Sequence, residues 1–223
     1  MTQATLIHEG SRSMAATQSV DTPDTPDVQT PPRPPSAARE RILETADRLF
    51  YNEGIHAVGV HRIVEEAAVT RVTLYRHFPS KEHLISAYLQ RRDDYDRGQV
   101  TGLIAAHPGD PRGALRELAT ALTRDDFAAV QRGCPFINAS AEFTGSHPAL
   151  AQAAEIRAWV TQQFQELLTQ LDHRAPEAAA YQLMMVRTGA VVSGALDHDV
   201  RLNQHFNDCW NKIIDDGLPQ SGG

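Results

Sequence analysis

Eight polar side chains crowd one short stretch of this chain. Arg62, Thr70, Arg71, Thr73, Tyr75, Arg76, His77 and Lys81 lie within the segment Val60 to Leu84, VHRIVEEAAVTRVTLYRHFPSKEHL. They are what remains when Ile63, Val64, Ala67, Val69, Val72, Leu74 and Phe78 are set aside as packing. Guanidinium, ammonium, imidazole and hydroxyl donors are the groups that hydrogen-bond phosphate oxygens and base edges. Residues 67–81 contain Arg71, Arg76 and Lys81 and no acid, a local basic patch. The whole chain, 223 residues at a net charge of −7, argues against coating nucleic acid through bulk positive charge. Its basic residues are 19 Arg and 2 Lys, and Arg is the better bidentate reader of phosphate and guanine.

Those side chains need helices to hold them. Ile42, Leu43, Ala46, Leu49 and Phe50 recur at helical spacing after Ser36, a fit N-cap, and Gly54 marks the stop. A short helix is expected from about Val60 to Ala67, and another, capped by Thr70, from Arg71 to Phe78. Pro79-Ser80 closes it and opens a fourth that runs to about Arg97, with Leu84, Ile85, Tyr88 and Leu89 inward. Two short helices joined by a tight turn behind a longer one suggest helix-turn-helix. Farther on, Pro111, Pro135, Pro148 and Pro176 each open a helix, where a missing N–H costs nothing. A last helix is expected over about Val200 to Ile214. No segment alternates with period two, so the expected fold is all-α. The expected organisation is a disordered proline-rich leader over 1–35, a reader domain over 36–82 with a linking helix to about 97, a helical domain over 98–216 and a flexible tail over 217–223.

Residues 39–89 resemble the DNA-binding domain of the tetracycline-repressor (TetR/AcrR) family of bacterial regulators. The run Thr73-Leu74-Tyr75-Arg76-His77-Phe78 with Ser80-Lys81-Glu82 carries the likeness, supported by Ile42, Ala46, Leu49, Phe50, Gly54, Ile63-Val64 and Val69-Thr70. The resemblance implies that Thr70, Arg71 and Thr73 meet base edges or nearby phosphates, that Tyr75, His77 and Lys81 bind phosphate, and that Arg62 adds a contact. Arg62 pairing with Glu65 or Glu66 on its own helix is the competing reading. The turn glycine of the family is Ala68 here, and its usual Ser/Thr cap is Gly59.

The resemblance also implies a homodimer that represses from a palindromic operator on double-stranded DNA and is released by a small-molecule effector; the competing reading is a TetR-like interaction module that keeps the fold without binding an operator. The expected dimer interface uses Met184, Val191, Leu202, Phe206, Trp210 and Ile213. The expected effector pocket draws on Cys134, Phe136, Asn138, Trp159, Phe164, Met184 and Arg187. Asn138 is its best polar group, because an amide on an apolar helix needs a partner. Arg187 would meet an anionic ligand or pair with an acid. Cys134, before Pro135 at a helix start, is either an inert thiol or a redox sensor.

Other classes fall away. No stretch approaches the roughly 18 apolar residues of a membrane span. Two cysteines build no disulfide framework, no secretory signal opens the chain, and the cytoplasm is the expected compartment. No Gly-x-Ser-x-Gly, phosphate loop or His-Glu-x-x-His appears, so no enzyme, metal or cofactor is expected. Asp197, His198, Asp199, His205 and Asp208 have ligand-type side chains in no metal spacing and read as caps and surface histidines.

Overall fold

Hydroxyl groups and prolines set the helix starts. Ser36, Thr70 and Ser80 each accept a hydrogen bond from the backbone N–H three residues on, satisfying a donor that the first turn leaves open. Asp110 does the same for Gly113 at 2.8 Å. Pro111, Pro135, Pro148 and Pro176 each stand first in their helices. The computed structural model describes residues 36–124, 132–197 and 199–219. The leader over 1–35, His198 and residues 220–223 lie outside them.

Nine helices and no strand are present among the described residues. They are α1 (Ala37–Glu53), α2 (Val60–Glu66), α3 (Arg71–His77), α4 (Lys81–Ala105), α5 (Pro111–Arg124), α6 (Pro135–Glu142), α7 (Pro148–Gln170), α8 (Pro176–Leu196) and α9 (Leu202–Asp215). Helix α4 runs eight residues beyond the expected end at Arg97. Val100, Leu103 and Ile104 pack on the core and carry the helix onward. The expected tail also starts later. Gly217 accepts from the Arg174 N–H at 2.8 Å, and Leu218 packs on the core.

One continuous core runs through the described helices. At the reader end Ile42, Leu49, Ile63, Leu74, Leu84 and Leu89 are fully buried. At the other end α7 and α8 pack along each other, and α9 closes over them. The Phe164 ring meets Trp210 edge-on at 5.2 Å. The Trp210 indole N–H finds the partner that burial demands in the Leu115 carbonyl, 3.2 Å away on α5.

Candidate nucleic-acid interface

Helix α3 is seven residues long and buries one side chain, Leu74. The Thr70 hydroxyl accepts from the Thr73 N–H at 3.1 Å and lies 2.9 Å from the Thr73 hydroxyl. Thr73 is thereby half-buried at the helix start. Arg71, Tyr75 and Arg76 are exposed, and among the described residues neither arginine has an ion-pair partner. The turn before α3 places Ala68 at φ +51, a left-handed conformation that a Cβ disfavours. Gly59 caps α2 with no side-chain hydrogen bond.

Val72 is a correction. It was set aside as packing, but it is 78% exposed. In a helix, residue i shares its face with i+3 and i+4, so Val72 stands with Tyr75 and Arg76 on the outer surface. Sequence reasoning missed it because it was sorted by polarity. The spacing to Tyr75 was the available signal.

Three of the expected contacts are already engaged within the chain. Arg62 is held by Glu53 and by Glu66, with Glu66 Oε1 at 2.8 Å. Both hydrogen bonds hold its guanidinium firmly charged. Arg48 takes the other oxygen of Glu66, and together the two arginines lower that carboxyl below its usual range. His77 lies 3.1 Å from the Ser36 hydroxyl. The Lys81 ammonium donates to the Ile55 carbonyl at 2.6 Å, and burial lowers its pKa. An ammonium has three donors, so Lys81 keeps capacity for a phosphate beyond Ile55.

The loop that Lys81 grips is also clamped from the far half of the chain. Glu142, the last residue of α6, accepts from the Ile55 N–H at 2.8 Å and the His56 N–H at 2.6 Å. His56 Nε2 lies 2.8 Å from the Glu142 carbonyl. Gly54 at φ +96 admits this approach, since a Cβ there would stand 3.2 Å from Glu142 Oε1. Tyr51 adds a hydrogen bond to the Gly133 carbonyl at 3.1 Å.

The expected pocket residues separate. Phe164 and Arg187 line a common cavity of about 350 Å³ with Asp96, Gln99, Val100 and Leu103 of α4. Asn138 is not aimed into it: its amide donates to the Arg132 carbonyl at 2.6 Å and braces the start of α6. Phe136 and Met184 are buried in the core, and Trp159 is covered by the Arg97 guanidinium at 4.7 Å. Cys134 is the partly buried N-cap of α6, and its side chain makes no capping bond.

The residues expected at a dimer interface separate too. Met184, Phe206 and Trp210 are 2%, 3% and 0% exposed within this one chain, so they have no surface to offer a partner. Val191, Leu202 and Ile213 are half-buried. The exposed apolar side chains of α8 are Tyr181, Met185, Val192 and Leu196.

A short outward-facing helix behind a tight turn, braced by a longer helix, defines a helix-turn-helix regulator. Comparison with known proteins agrees. Residues 42–88 match the family model described as bacterial regulatory proteins, tetR family. The fold is similar to that of a solved TetR-family transcriptional regulator from Streptomyces coelicolor, with a TM-score of 0.74 at 38% identity over 81% of this chain and 95% of that one. The chain is similar to the HTH-type transcriptional regulator LmrA of Bacillus subtilis, 26% identical over 79% of this chain and 96% of LmrA. An uncharacterized HTH-type transcriptional regulator of Mycobacterium tuberculosis is 43% identical over 54 residues, a match spanning 27% of that relative's length. This chain belongs to the TetR family of bacterial transcriptional regulators. No described helix is long and apolar enough to cross a membrane.

Proposed function

We propose that the chain is a homodimeric repressor that reads a palindromic operator through α3 and leaves it when a small molecule occupies the helical domain. The carrying observation is the outer face of α3, where Arg71, Val72, Tyr75 and Arg76 are all exposed beside the single anchor Leu74. Arg71 and Arg76 supply donors for guanine or phosphate, and Tyr75 supplies a phosphate-binding hydroxyl. Val72 presents methyl groups of the kind that pack on the thymine C5-methyl. Two copies related by a two-fold axis would read half-sites about 34–36 Å apart, or a multiple of that. The exposed apolar face of α8 is the surface offered to the second copy.

The Glu142 clamp supports coupling between the halves. A displacement of α6 pulls on the α1–α2 loop through two charge-assisted hydrogen bonds. An effector that favours one placement of α6 over another thereby shifts the spacing of the two readers and the affinity for DNA.

Selection of bound DNA from a random duplex library tests the reading, with Arg71→Ala/Tyr75→Phe as control. A palindrome enriched by the parent and lost by the control is the expected result. A folded parent that enriches nothing at low salt overturns it. Light scattering on the same sample checks the dimer.

A further inference from the structure

We infer that the effector is a small organic acid with an apolar body, its carboxylate held by Arg187 across the cavity from Asp96. This rests on the reading of the helical domain as an effector sensor. Arg187 lines the cavity and carries a charge that no accessible pH removes. Among the described residues it has no hydrogen bond or ion pair, and neither has Asp96. The surrounding arginines are already engaged. Arg92 binds Asp47 at 2.7 Å, Arg97 binds Asp93 at 2.7 Å, and Arg157 donates to Thr188 at 2.9 Å. A polar pair left open in a cavity walled on two sides by Leu118, Leu122, Val160 and Phe164 is the arrangement expected of a ligand site.

The two charges are not equivalent. Burial raises the pKa of Asp96, while Arg187 on α8 and Arg92 on its own helix lower it and Asp93 raises it. The sides contributed by α5 and α7 are apolar, including Leu118, Leu122, Val160 and Phe164. Asp96 can therefore give up its charge, and Arg187 cannot. An arriving carboxylate replaces Asp96 as the counter-charge of Arg187. The Asp96 carboxyl then takes one proton from solvent and turns from acceptor to donor. A cation would have to face Arg187, and a neutral molecule would leave the guanidinium facing only Asp96, whose charge burial disfavours. A cavity of about 350 Å³ sits at the small end of small-molecule pockets and restricts the apolar body to a compact one.

The test uses the full chain without DNA. Thermal unfolding is followed with straight-chain and phenyl-substituted carboxylic acids at millimolar concentration, and with the matching primary amides and amines. Acids are expected to raise Tm where amides and amines of the same body do not. The rise should shrink as pH increases, because binding takes up a proton. Arg187→Gln should abolish it, and Asp96→Asn should keep it while flattening its pH dependence. If Arg187→Gln does not fold, Arg187→Lys stands in, and a rise equal to the parent's overturns a contact that needs the guanidinium. The proposal is also overturned if no acid raises Tm, if amides or amines do as well, or if Arg187→Gln retains the rise. Since the readout needs no DNA, its failure leaves the operator reading intact. Acids that bind yet never loosen DNA would leave the operator reading and the carboxylate site standing and overturn the site's role as the effector site.

Discussion

The reader and the helical domain are held together in opposite ways. Helices α2 and α3 have seven residues each and bury Ile63 and Leu74 alone, while ion pairs from Arg48 and Arg62 to Glu66 tie their surface down. Helices α7 and α8 have 23 and 21 residues and bury long apolar stripes. Helices α2 and α3 therefore put most of their side chains on display, resting on the apolar faces of α1 and α4, while α7 and α8 put theirs into packing. A contact that steadies the reader from outside, such as Glu142, matters more than a similar bond deep in the bundle.

The largest expected effects break each half at its own anchor. Trp210→Ala removes a fully buried indole and its hydrogen bond to Leu115 and should cost about 3–5 kcal/mol in the helical domain. Leu74→Ala should cost about 2–4 kcal/mol and abolish DNA binding, because α3 has no other buried side chain. Denaturant unfolding and hydrogen exchange check both. Uniform loss of protection in Leu74→Ala, rather than loss centred on α2 and α3, would erase the contrast.

Arg71→Ala should weaken operator binding roughly ten- to a hundredfold with Tm unchanged, since the side chain is exposed. Fluorescence anisotropy against the selected duplex measures it, and a fall in Tm would mean that Arg71 serves the fold. Glu142→Ala leaves the Ile55 and His56 N–H groups without their acceptor and should cost about 1–2 kcal/mol. Exchange should quicken first in residues 54–59.

Two smaller effects sharpen the comparison. Ala68→Gly relieves a left-handed backbone and should stabilise the reader by about 0.5–1 kcal/mol, seen as a higher denaturant midpoint. Asp96→Asn should act through pH. The folded carboxyl titrates above its unfolded value, so its contribution to stability is full at acid pH and is lost as pH rises through the folded pKa. The variant should match the parent near about pH 3 and exceed it in Tm at neutral pH. An equal Tm at neutral pH would mean that burial of Asp96 has no such cost.

The helix starts were legible in sequence because caps and prolines act within one turn of themselves. The end of α4 was not, because Val100, Leu103 and Ile104 extend it by packing on the core formed with distant helices. The reader's polar set was legible for the same local reason, since its members lie within 20 residues, from Arg62 to Lys81. The pairing of Arg62 with Glu66, one turn along its own helix, was legible as well, but its second partner Glu53 and the partners of His77 and Lys81 at Ser36 and Ile55 were not. The cavity is a still longer-range product. Asp96 lay in a run of charges, and only the folded chain sets it in one cavity with Arg187, 91 residues on. Its spacing to Val100 and Leu103, one helical face, was the sole local signal.

On the proposed reading, helix α4 serves as a lever arm. Its 25 residues span about 37 Å from Lys81 beside the reader to Ala105 past the cavity. A swing of about 5° around the far end carries Lys81 through about 3 Å, comparable with the roughly 3.4 Å rise per nucleotide along one DNA strand. An angular change too small to disturb the core's packing thus suffices to move a reading helix by one base step.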